Sequence, residues 1–511
     1  MRPAIAERGD RAAPLWFAAL ALVVHLPALA RYGWFRDELY YVACSKHLAW
    51  GYVDQPPLSI AVLALWRFLF GDSLAIVRFA PALAHALTVL VIGRIARDLG
   101  GGRFGVTLAC LAAVLAPGLL GTASVFSMNA LDLLLWTLAL SAFVRALDRE
   151  RPADWMGLGL ALGLGLLNKI SVLWLGAGLF AGLVATRRRR WLATPWPWLA
   201  GVLALALFTP HVVWQVEHGW PTLEFMRHAV LEKMVRTSPA EFLGAQVMMA
   251  GPAGAVLGLA GLAWCAFGPR GREWRALAVA WLVVLAILLA SPAARASYLI
   301  ASYGLLFATG GVALERLSHA PGRRWARGVV VALLILLQLP LLPLALPVLP
   351  VSGFIAYTRA LPMRPAAEER TRPDELPQMY ADMFGWEEMA DRVGRVYRSL
   401  PEAERVKCGV YARNYGEAGA LDLFGAKYGL PPALSGHNNY WLWGPRGYTG
   451  EVMIVLGAPR EDLERDFASV TLADSVRCEH CMPYERGRRV WICRGMRIPL
   501  REAWARVKAY I

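Results

Sequence analysis

Long apolar stretches, separated by short basic segments, occupy the first two thirds of the chain. Several contain the roughly 18–20 apolar residues that a helix needs to cross a hydrocarbon core about 30 Å thick. We interpret the following stretches as membrane spans: residues 14–30, 75–98, 104–121, 129–146, 154–171, 172–186, 193–213, 242–266, 275–291, 296–314 and 326–349. The pattern predicts an α-helical polytopic membrane protein with about 11 transmembrane helices.

Arginine clusters indicate how these spans are oriented. Arg2, Arg8 and Arg11 precede the first span, and arginines follow the even-numbered spans, as in the four consecutive arginines at 187–190. Because basic loops remain in the cytoplasm, the N-terminus is expected there and the C-terminal part on the outer, periplasmic side. The expected location is the cell inner (plasma) membrane.

Beyond residue 350 the chain becomes polar and mixed in charge. Residues 380–399 have helical spacing of apolar positions. Short β-type runs near 406–411, 451–457 and 489–493 alternate with helical pieces near 416–428 and 460–468. This order predicts a small C-terminal α/β extracytoplasmic domain. The expected division is a transmembrane body at 1–350 and a linker with a soluble domain at 351–511.

Composition agrees with this membrane interpretation. Of the 511 residues 57% are hydrophobic and only 18% are charged, against about 25% charged in soluble domains. The net charge of +15 comes mostly from arginines between apolar runs. We therefore expect membrane lipids rather than nucleic acid as partners.

Carboxylates on the outer side are not explained by topology. Asp37 and Glu38 follow the first span, and Asp54 precedes a Pro-Pro pair that restricts the backbone. Ionised groups at a membrane edge are candidates for function. The simpler alternative is that Asp37 and Glu38 are solvated loop charges beside Arg36.

Other polar residues lie at the outer ends of later spans. Asn129 and Asp132 share one helical face, although Asp132 could simply complement the helix dipole. Lys169 and Arg295 are isolated cations suited to a lipid phosphate or pyrophosphate, although snorkelling would also explain Lys169.

An outer carboxylate and outer cations together suit attack on a lipid-linked anionic substrate. The acid would take a proton from an acceptor hydroxyl, and the cations would stabilise the leaving phosphate. The alternatives are a polytopic transporter and a non-catalytic glycan-binding membrane scaffold. No cofactor and no metal ligand is assigned, and a divalent metal is left open.

Several segments of the chain resemble the GT-C glycosyltransferases, in particular the protein O-mannosyltransferase-like family and the lipid A aminoarabinose transferases. These segments are Phe35-Arg-Asp-Glu-Leu-Tyr-Tyr, Asp54-Gln-Pro-Pro-Leu58, Asn129-Ala-Leu-Asp-Leu-Leu-Leu-Trp136, Leu167-Asn-Lys-Ile-Ser171, Trp214-Gln-Val-Glu-His-Gly-Trp-Pro-Thr-Leu-Glu-Phe225 and Arg295-Ala-Ser-Tyr298.

The resemblance implies an enzyme that moves a sugar from a polyprenyl-phosphate donor to an envelope acceptor (lipid, glycan or protein). It implies Asp37 as the catalytic base, with Glu38 and Asp132 as further catalytic candidates. The implied donor-binding and phosphate-binding residues are Asp54, Gln55, Asn129, Lys169, Arg295 and Tyr298. Two positions differ from the family, which often has Lys where this chain has Gln55 and Asp where it has Asn129.

The cysteines of the C-terminal part allow two interpretations. Cys478 and Cys481, with His480, Cys493 or Cys408, could form a zinc site. We favour a disulfide between Cys481 and Cys493, because an outer location permits oxidation.

Overall fold

The structure, a computed structural model, describes residues 12–291, 293–319, 322, 325–361, 369–370 and 374–511. Arg2, Arg8 and Arg11 lie outside the described residues. The chain divides into two compact units. Unit 1 comprises Met1–Arg31, Ala75–Val213 and Val235–Pro350, and unit 2 comprises Tyr32–Leu74, Trp214–Met234 and Val351–Ile511.

Unit 2 is discontinuous along the chain. Tyr32–Leu74 and Trp214–Met234 belong to the same unit as the C-terminal residues. The helix Arg36–Ser45 packs on the helix Tyr415–Phe424, and Arg36 N–H donates a hydrogen bond to the Asp382 carbonyl at 3.1 Å. These contacts join residues far apart in the chain, so local pattern could not reveal them.

The described part of unit 1 consists of helices and the connections between them. Its α-helices are Ala13–His25, Leu74–Asp98, Arg103–Leu115, Pro117–Thr122, Met128–Arg149, Pro152–Asn168, Val172–Val184, Trp196–Glu217, Pro239–Ala250, Pro252–Phe267, Arg275–Leu289, Tyr303–Ser318, Ala326–Gln338 and Leu342–Ala345. A continuous core of Ala, Val, Leu and aromatic side chains joins all of these helices except Leu342–Ala345.

Among the described residues, five helices are long and apolar enough to cross a membrane. A sixth is added if Pro239–Ala250 and Pro252–Phe267, which meet at a bend of 107°, count as one span. Two of the five, Trp196–Glu217 and Ala326–Ala345, have only 28% and 17% of their most apolar window buried. Uncovered apolar faces of this size are typical of contact with a membrane or a partner.

Several expected spans are interrupted in the structure. The stretch 104–121 breaks at Ala116, which has an extended ψ of 117°, because proline at the next position disfavours helical geometry in the residue before it. The stretch 242–266 bends before Pro252. The helix that covers most of 154–171 ends at Asn168, and Lys169 is extended.

Unit 2 contains a four-stranded sheet with the order β1-β2-β4-β3. The strands are β1 (Cys408–Tyr411), β2 (Val452–Leu456), β3 (Phe467–Ser475) and β4 (Arg489–Met496). β1 and β2 are parallel, and the other two pairs are antiparallel. The α-helices are Arg36–Ser45, Leu58–Phe70, Pro221–His228, Val351–Ala360, Gln378–Ala381, Trp386–Ser399, Glu402–Arg405, Tyr415–Phe424, Asn439–Leu442, Arg460–Asp466 and Leu500–Ala503.

The α/β character of the C-terminal residues is confirmed, with strands close to the three expected runs. The sequence pattern does not indicate β3. It is an edge strand with mostly exposed side chains, and a strand without a buried face lacks the hydrophobic signal by which buried strands are recognised.

The expected Cys481–Cys493 disulfide is wrong, because all seven cysteines, which the structure describes, are free thiols. Cys493 lies within β4 opposite Met453, whereas Cys481 lies in the loop between β3 and β4 beside Cys478.

Glycine substitutions in the helix Val172–Val184 test the helix packing of unit 1. A Cβ at Gly182 would lie 2.3 Å from the Ala276 carbonyl oxygen, whereas a Cβ at Gly176 meets nothing within 4 Å. We expect Gly182→Leu to destabilise the protein by about 1–3 kcal/mol through overpacking, and Gly176→Leu to be neutral or slightly stabilising. Thermal unfolding of both variants in detergent measures this, and equal midpoints would contradict the close helix contact.

Candidate functional site

The carboxylate of Asp37 lies in the first turn of the helix Arg36–Ser45 in unit 2. Its side chain is 36% exposed, so a substrate can reach it. The Tyr415 hydroxyl donates a hydrogen bond to Asp37 Oδ1 at 2.8 Å, and the N-terminal end of the helix favours negative charge. Asp37 is therefore held in one orientation while remaining accessible.

Glu38 has a different environment from its neighbour. It is completely buried, and its Oε2 accepts a hydrogen bond from Phe35 N–H at 2.9 Å. This contact satisfies a backbone donor at the start of the helix. Glu38 thereby fixes the point at which the helix that carries Asp37 begins.

Arg36 is surrounded by three carboxylates. Its guanidinium lies 3.6 Å from Asp37, 3.6 Å from Glu369 and 3.7 Å from Asp382. Its Nη1 also donates to the Tyr484 hydroxyl at 3.0 Å. Burial raises the pKa of Asp382 to about 6, although the nearby Arg36 charge opposes that rise. We call these five residues the Arg36 cluster.

A cavity of about 260 Å³ lies beside the Arg36 cluster. Its lining includes Arg36, Lys233, Glu369, Tyr415, His437 and Tyr484. Burial lowers the pKa of His437 to about 3, so this side chain is neutral near pH 7. The cavity therefore combines cations, carboxylates and neutral hydrogen-bonding groups next to the residues that contact Asp37.

Asp54 and Gln55 lie in a buried polar region of unit 2. The Tyr40 hydroxyl donates to Asp54 Oδ1 at 2.9 Å and contacts Asn439 Oδ1 at 3.1 Å. Gln55 is fully buried, and both polar atoms of its amide lack a hydrogen-bond partner among the described residues. Burial raises the pKa of Asp54 to about 6.

Four of the predicted residues meet in unit 1. Lys169 Nζ donates to Asn129 Oδ1 at 2.7 Å and lies 3.8 Å from Asp132 Oδ2. It also lies 5.0 Å from the ring centroid of Tyr298. Ser171 Oγ donates to Asp132 Oδ2 at 3.1 Å. We call Asn129, Asp132, Lys169 and Tyr298 the Lys169 cluster.

The break in helical structure at Lys169 explains how this cluster forms. Met128–Arg149 carries Asn129 and Asp132 one turn apart, and Lys169 follows the end of Pro152–Asn168. Tyr298 lies in the 3-10 helix Ala296–Ser302, and Arg295 directly precedes this helix. Arg295 therefore stands three residues before Tyr298 in the chain.

The sequence does not indicate most of the residues that surround Arg36 and Asp37. Tyr415 lies in the Asn- and Tyr-rich segment 414–419, whereas Glu369, Asp382 and Tyr484 stand in segments without a motif. Only their contacts with Arg36 reveal them. The described residues include no group of three or more His, Cys, Asp or Glu side chains placed to hold a metal ion, so the zinc interpretation of Cys478 and Cys481 gains no support.

Residues 54–214 match the family model described as dolichyl-phosphate-mannose-protein mannosyltransferase. The chain is similar to an undecaprenyl phosphate-alpha-4-amino-4-deoxy-L-arabinose arabinosyl transferase of Pseudomonas aeruginosa. The two are 31% identical over 185 residues, and this alignment covers 33% of this chain and 34% of the relative. A second such transferase, from Pseudomonas fluorescens, is 30% identical over 32% of this chain and 31% of its own length. The match thus spans about a third of the length of these curated relatives.

Two solved structures share the fold. Cupriavidus metallidurans ArnT bound to undecaprenyl phosphate has a TM-score of 0.61 and 16% identity, with 94% of this chain and 97% of that chain covered. An Archaeoglobus fulgidus oligosaccharyltransferase has a TM-score of 0.51 and 12% identity, with 83% and 65% covered. The resemblance to GT-C glycosyltransferases of the arabinosyl- and mannosyltransferase type is confirmed.

The raised pKa of Asp54 predicts a specific dependence of stability on pH. The folded carboxyl is protonated below about pH 6, whereas the unfolded carboxyl stays charged down to about pH 4. The folded state therefore binds the extra proton, and acidification from about pH 7 to pH 5 should stabilise the native protein relative to Asp54→Asn by about 1 kcal/mol.

Thermal midpoints of the two proteins across this range measure that difference. Tyr40→Phe is the control, because it removes the hydrogen-bond donor but keeps the carboxyl and should retain the pH dependence. Parallel curves for the native protein and Asp54→Asn would contradict the burial of an ionisable carboxyl at this position.

Proposed function

We propose that the protein is a multi-pass membrane glycosyltransferase that moves a sugar from a polyprenyl-phosphate donor to an envelope acceptor, with Asp37 as the general base. The observation that carries the proposal is the accessible Asp37 carboxylate. The Tyr415 hydroxyl orients it through a hydrogen bond of 2.8 Å. Arg36, which lines the neighbouring cavity, also contacts it. The sequence similarity to polyprenyl-phosphate arabinosyl transferases supports the donor class.

In the proposed reaction an acceptor hydroxyl gives its proton to Asp37 while its oxygen attacks the anomeric carbon of the donor sugar. The bond between that carbon and the phosphate oxygen breaks, and the polyprenyl phosphate leaves with the electron pair. Tyr415 is a positioning residue, because its hydroxyl bonds Oδ1 and leaves Oδ2 to receive the proton.

We assign the donor phosphate to Lys169, with Arg295 as a second cation. Lys169 Nζ is already directed by Asn129 and Asp132, so little rotamer entropy remains to be lost on binding. A phosphate oxygen would add a charge-assisted hydrogen bond. The ring of Tyr298 covers one side of the ammonium group and limits its access to water. Asp54 and Gln55 are assigned to the donor as well.

We also propose the orientation that the arginine clusters indicate. The apolar segments form about 11 spans, the N-terminus lies in the cytoplasm, and residues 351–511 lie on the outer face of the inner membrane. The arginine clusters that follow every second apolar segment support this arrangement, because basic loops remain in the cytoplasm.

Transfer of labelled sugar tests the role of Asp37. The first donor to use is undecaprenyl phosphate-alpha-4-amino-4-deoxy-L-arabinose, the donor named for the relatives, and envelope lipid, glycan and protein fractions serve as acceptors. We expect Asp37→Asn to lower the transfer rate by about a hundredfold or more, because general-base catalysis contributes that much.

The matched control is Asp72→Asn, which removes another carboxylate of unit 2, paired with Arg67 at 2.7 Å. It should leave transfer nearly unchanged. Equal transfer by native protein and Asp37→Asn, with folding verified by thermal unfolding, would exclude Asp37 as the base.

Lys169→Met tests the phosphate assignment. Loss of one charge-assisted hydrogen bond should raise the donor concentration needed for half-maximal transfer about tenfold. In Lys169→Met the Asp132 carboxylate is left without its cation, which could destabilise the fold. The double variant Lys169→Met, Asp132→Asn also removes that carboxylate and checks that misfolding does not cause the change in donor dependence. Lys407→Met breaks an exposed ion pair with Glu451 and should change nothing. An unchanged donor dependence in both Lys169 variants would refute the assignment.

A further inference from the structure

The loop between β3 and β4 carries two cysteines at a spacing used in redox chemistry. Cys478-Glu-His-Cys481 begins three residues after β3 ends at Ser475, and the loop closes as a hairpin. Val476 N–H donates to the Arg488 carbonyl at 2.7 Å, and Gly487 N–H donates to the Val476 carbonyl at 3.0 Å. The two thiols are therefore held on one closed turn.

The two thiols differ in their hydrogen bonds and in their exposure. Cys481 N–H donates to Cys478 Sγ at 3.2 Å, and the Cys481 thiol lies 3.7 Å from the Cys478 carbonyl oxygen. Cys478 is half-buried, whereas Cys481 is buried. An outer thiol that accepts hydrogen bonds and an inner thiol behind it have the roles of an attacking and a resolving cysteine.

The electrostatics agree with this division. The Cys481 thiol and the backbone N–H groups of Cys481 and His480 lower the pKa of Cys478, against the opposing effects of burial and Glu388. The hydrogen bond to Cys478 and burial raise the pKa of Cys481. The attacking thiolate therefore forms at Cys478.

Close packing keeps the turn in place. A Cβ at Gly385 would lie 2.9 Å from Cys478 Sγ and 3.4 Å from Cys481 Cβ, and Gly385 has a φ of +91°. A side chain there would be strained and would push the thiols away. The turn thus rests directly on the start of the helix Trp386–Ser399.

We propose that Cys478 and Cys481 form a redox-active dithiol that exchanges with external disulfides and whose state affects the Arg36 cluster. The Cys478 thiolate attacks one sulfur of a disulfide R–S–S–R, forms a mixed disulfide and releases RS⁻. The Cys481 thiolate, formed by loss of its proton to solvent, then attacks Cys478 Sγ and releases the second RS⁻. The two cysteines are oxidised to one intramolecular disulfide, and the external disulfide is reduced to two thiols.

The same loop connects the dithiol to the candidate site. Tyr484 lies three residues after Cys481, and its hydroxyl donates to Asp382 at 3.1 Å and accepts from Arg36 at 3.0 Å. Closing a disulfide in the turn constrains the backbone that positions Tyr484. Dithiol exchange itself does not depend on the proposed sugar transfer, because no donor or acceptor sugar takes part in it.

Glutathione buffers test the proposal on the full chain in detergent. The reduced protein is equilibrated at several ratios of reduced to oxidised glutathione, quenched with acid and alkylated with maleimide, and its peptides are analysed by mass spectrometry. We expect the native protein to form the Cys478–Cys481 disulfide. Cys481→Ser should stop at a glutathione mixed disulfide on Cys478, and Cys478→Ser should react at least about tenfold more slowly.

Cys493→Ser is the matched control, because Cys493 is buried in β4 and should not alter oxidation of the pair. Full alkylation of both thiols in native protein under oxidising buffer would overturn the dithiol. Equal reactivity of Cys478→Ser and Cys481→Ser would overturn the assigned roles. Hydrogen exchange of residues 482–488 should differ between reduced and oxidised native protein, and identical exchange would overturn the link to Tyr484.

Discussion

A buried cation costs several kcal/mol unless opposite charges or hydrogen bonds meet it, and unit 2 is organised around such a group. The Arg36 guanidinium, only 12% exposed, lies within 3.7 Å of carboxylates at positions 37, 369 and 382. One of these belongs to its own helix and the other two to distant segments. Neutralising one arginine therefore requires three parts of the chain to come together, which also fixes the orientation of Asp37.

The carboxylates of this region are in excess over its cations. Three carboxylates surround Arg36, and Lys233 lies 3.6 Å from Glu369, so carboxylates outnumber cations. Burial raises the pKa of Asp382 to about 6, and Asp37 is the most exposed of the three carboxylates. Asp37 is therefore the accessible carboxylate on which the proposed proton transfer depends.

In unit 1 a largely buried cation, Lys169, is likewise surrounded by groups that offset its charge. Lys169, 13% exposed, is met by the Asp132 carboxylate, the Asn129 amide and the face of Tyr298. The surrounding helices pack through small residues, as where Gly178 and Gly182 approach the backbone of Ala280 and Ala276. The orientation of the Lys169 ammonium group itself comes from its contacts with Asn129, Asp132 and Tyr298.

The sequence by itself determined the properties that depend on neighbours along the chain. Apolar length predicted the long helices, short β-type runs predicted β1, β2 and β4, and the spacing of Asn129 and Asp132 predicted their common face. It did not predict the exposed edge strand β3, which has no buried face to give a signal. Resemblance singled out Asp37, but neither pattern nor resemblance paired it with Tyr415, which lies 378 positions away. Only the tertiary structure decided that Tyr415, Asp382 and Tyr484 surround Arg36, because charge pairing between distant segments leaves no periodicity in the sequence.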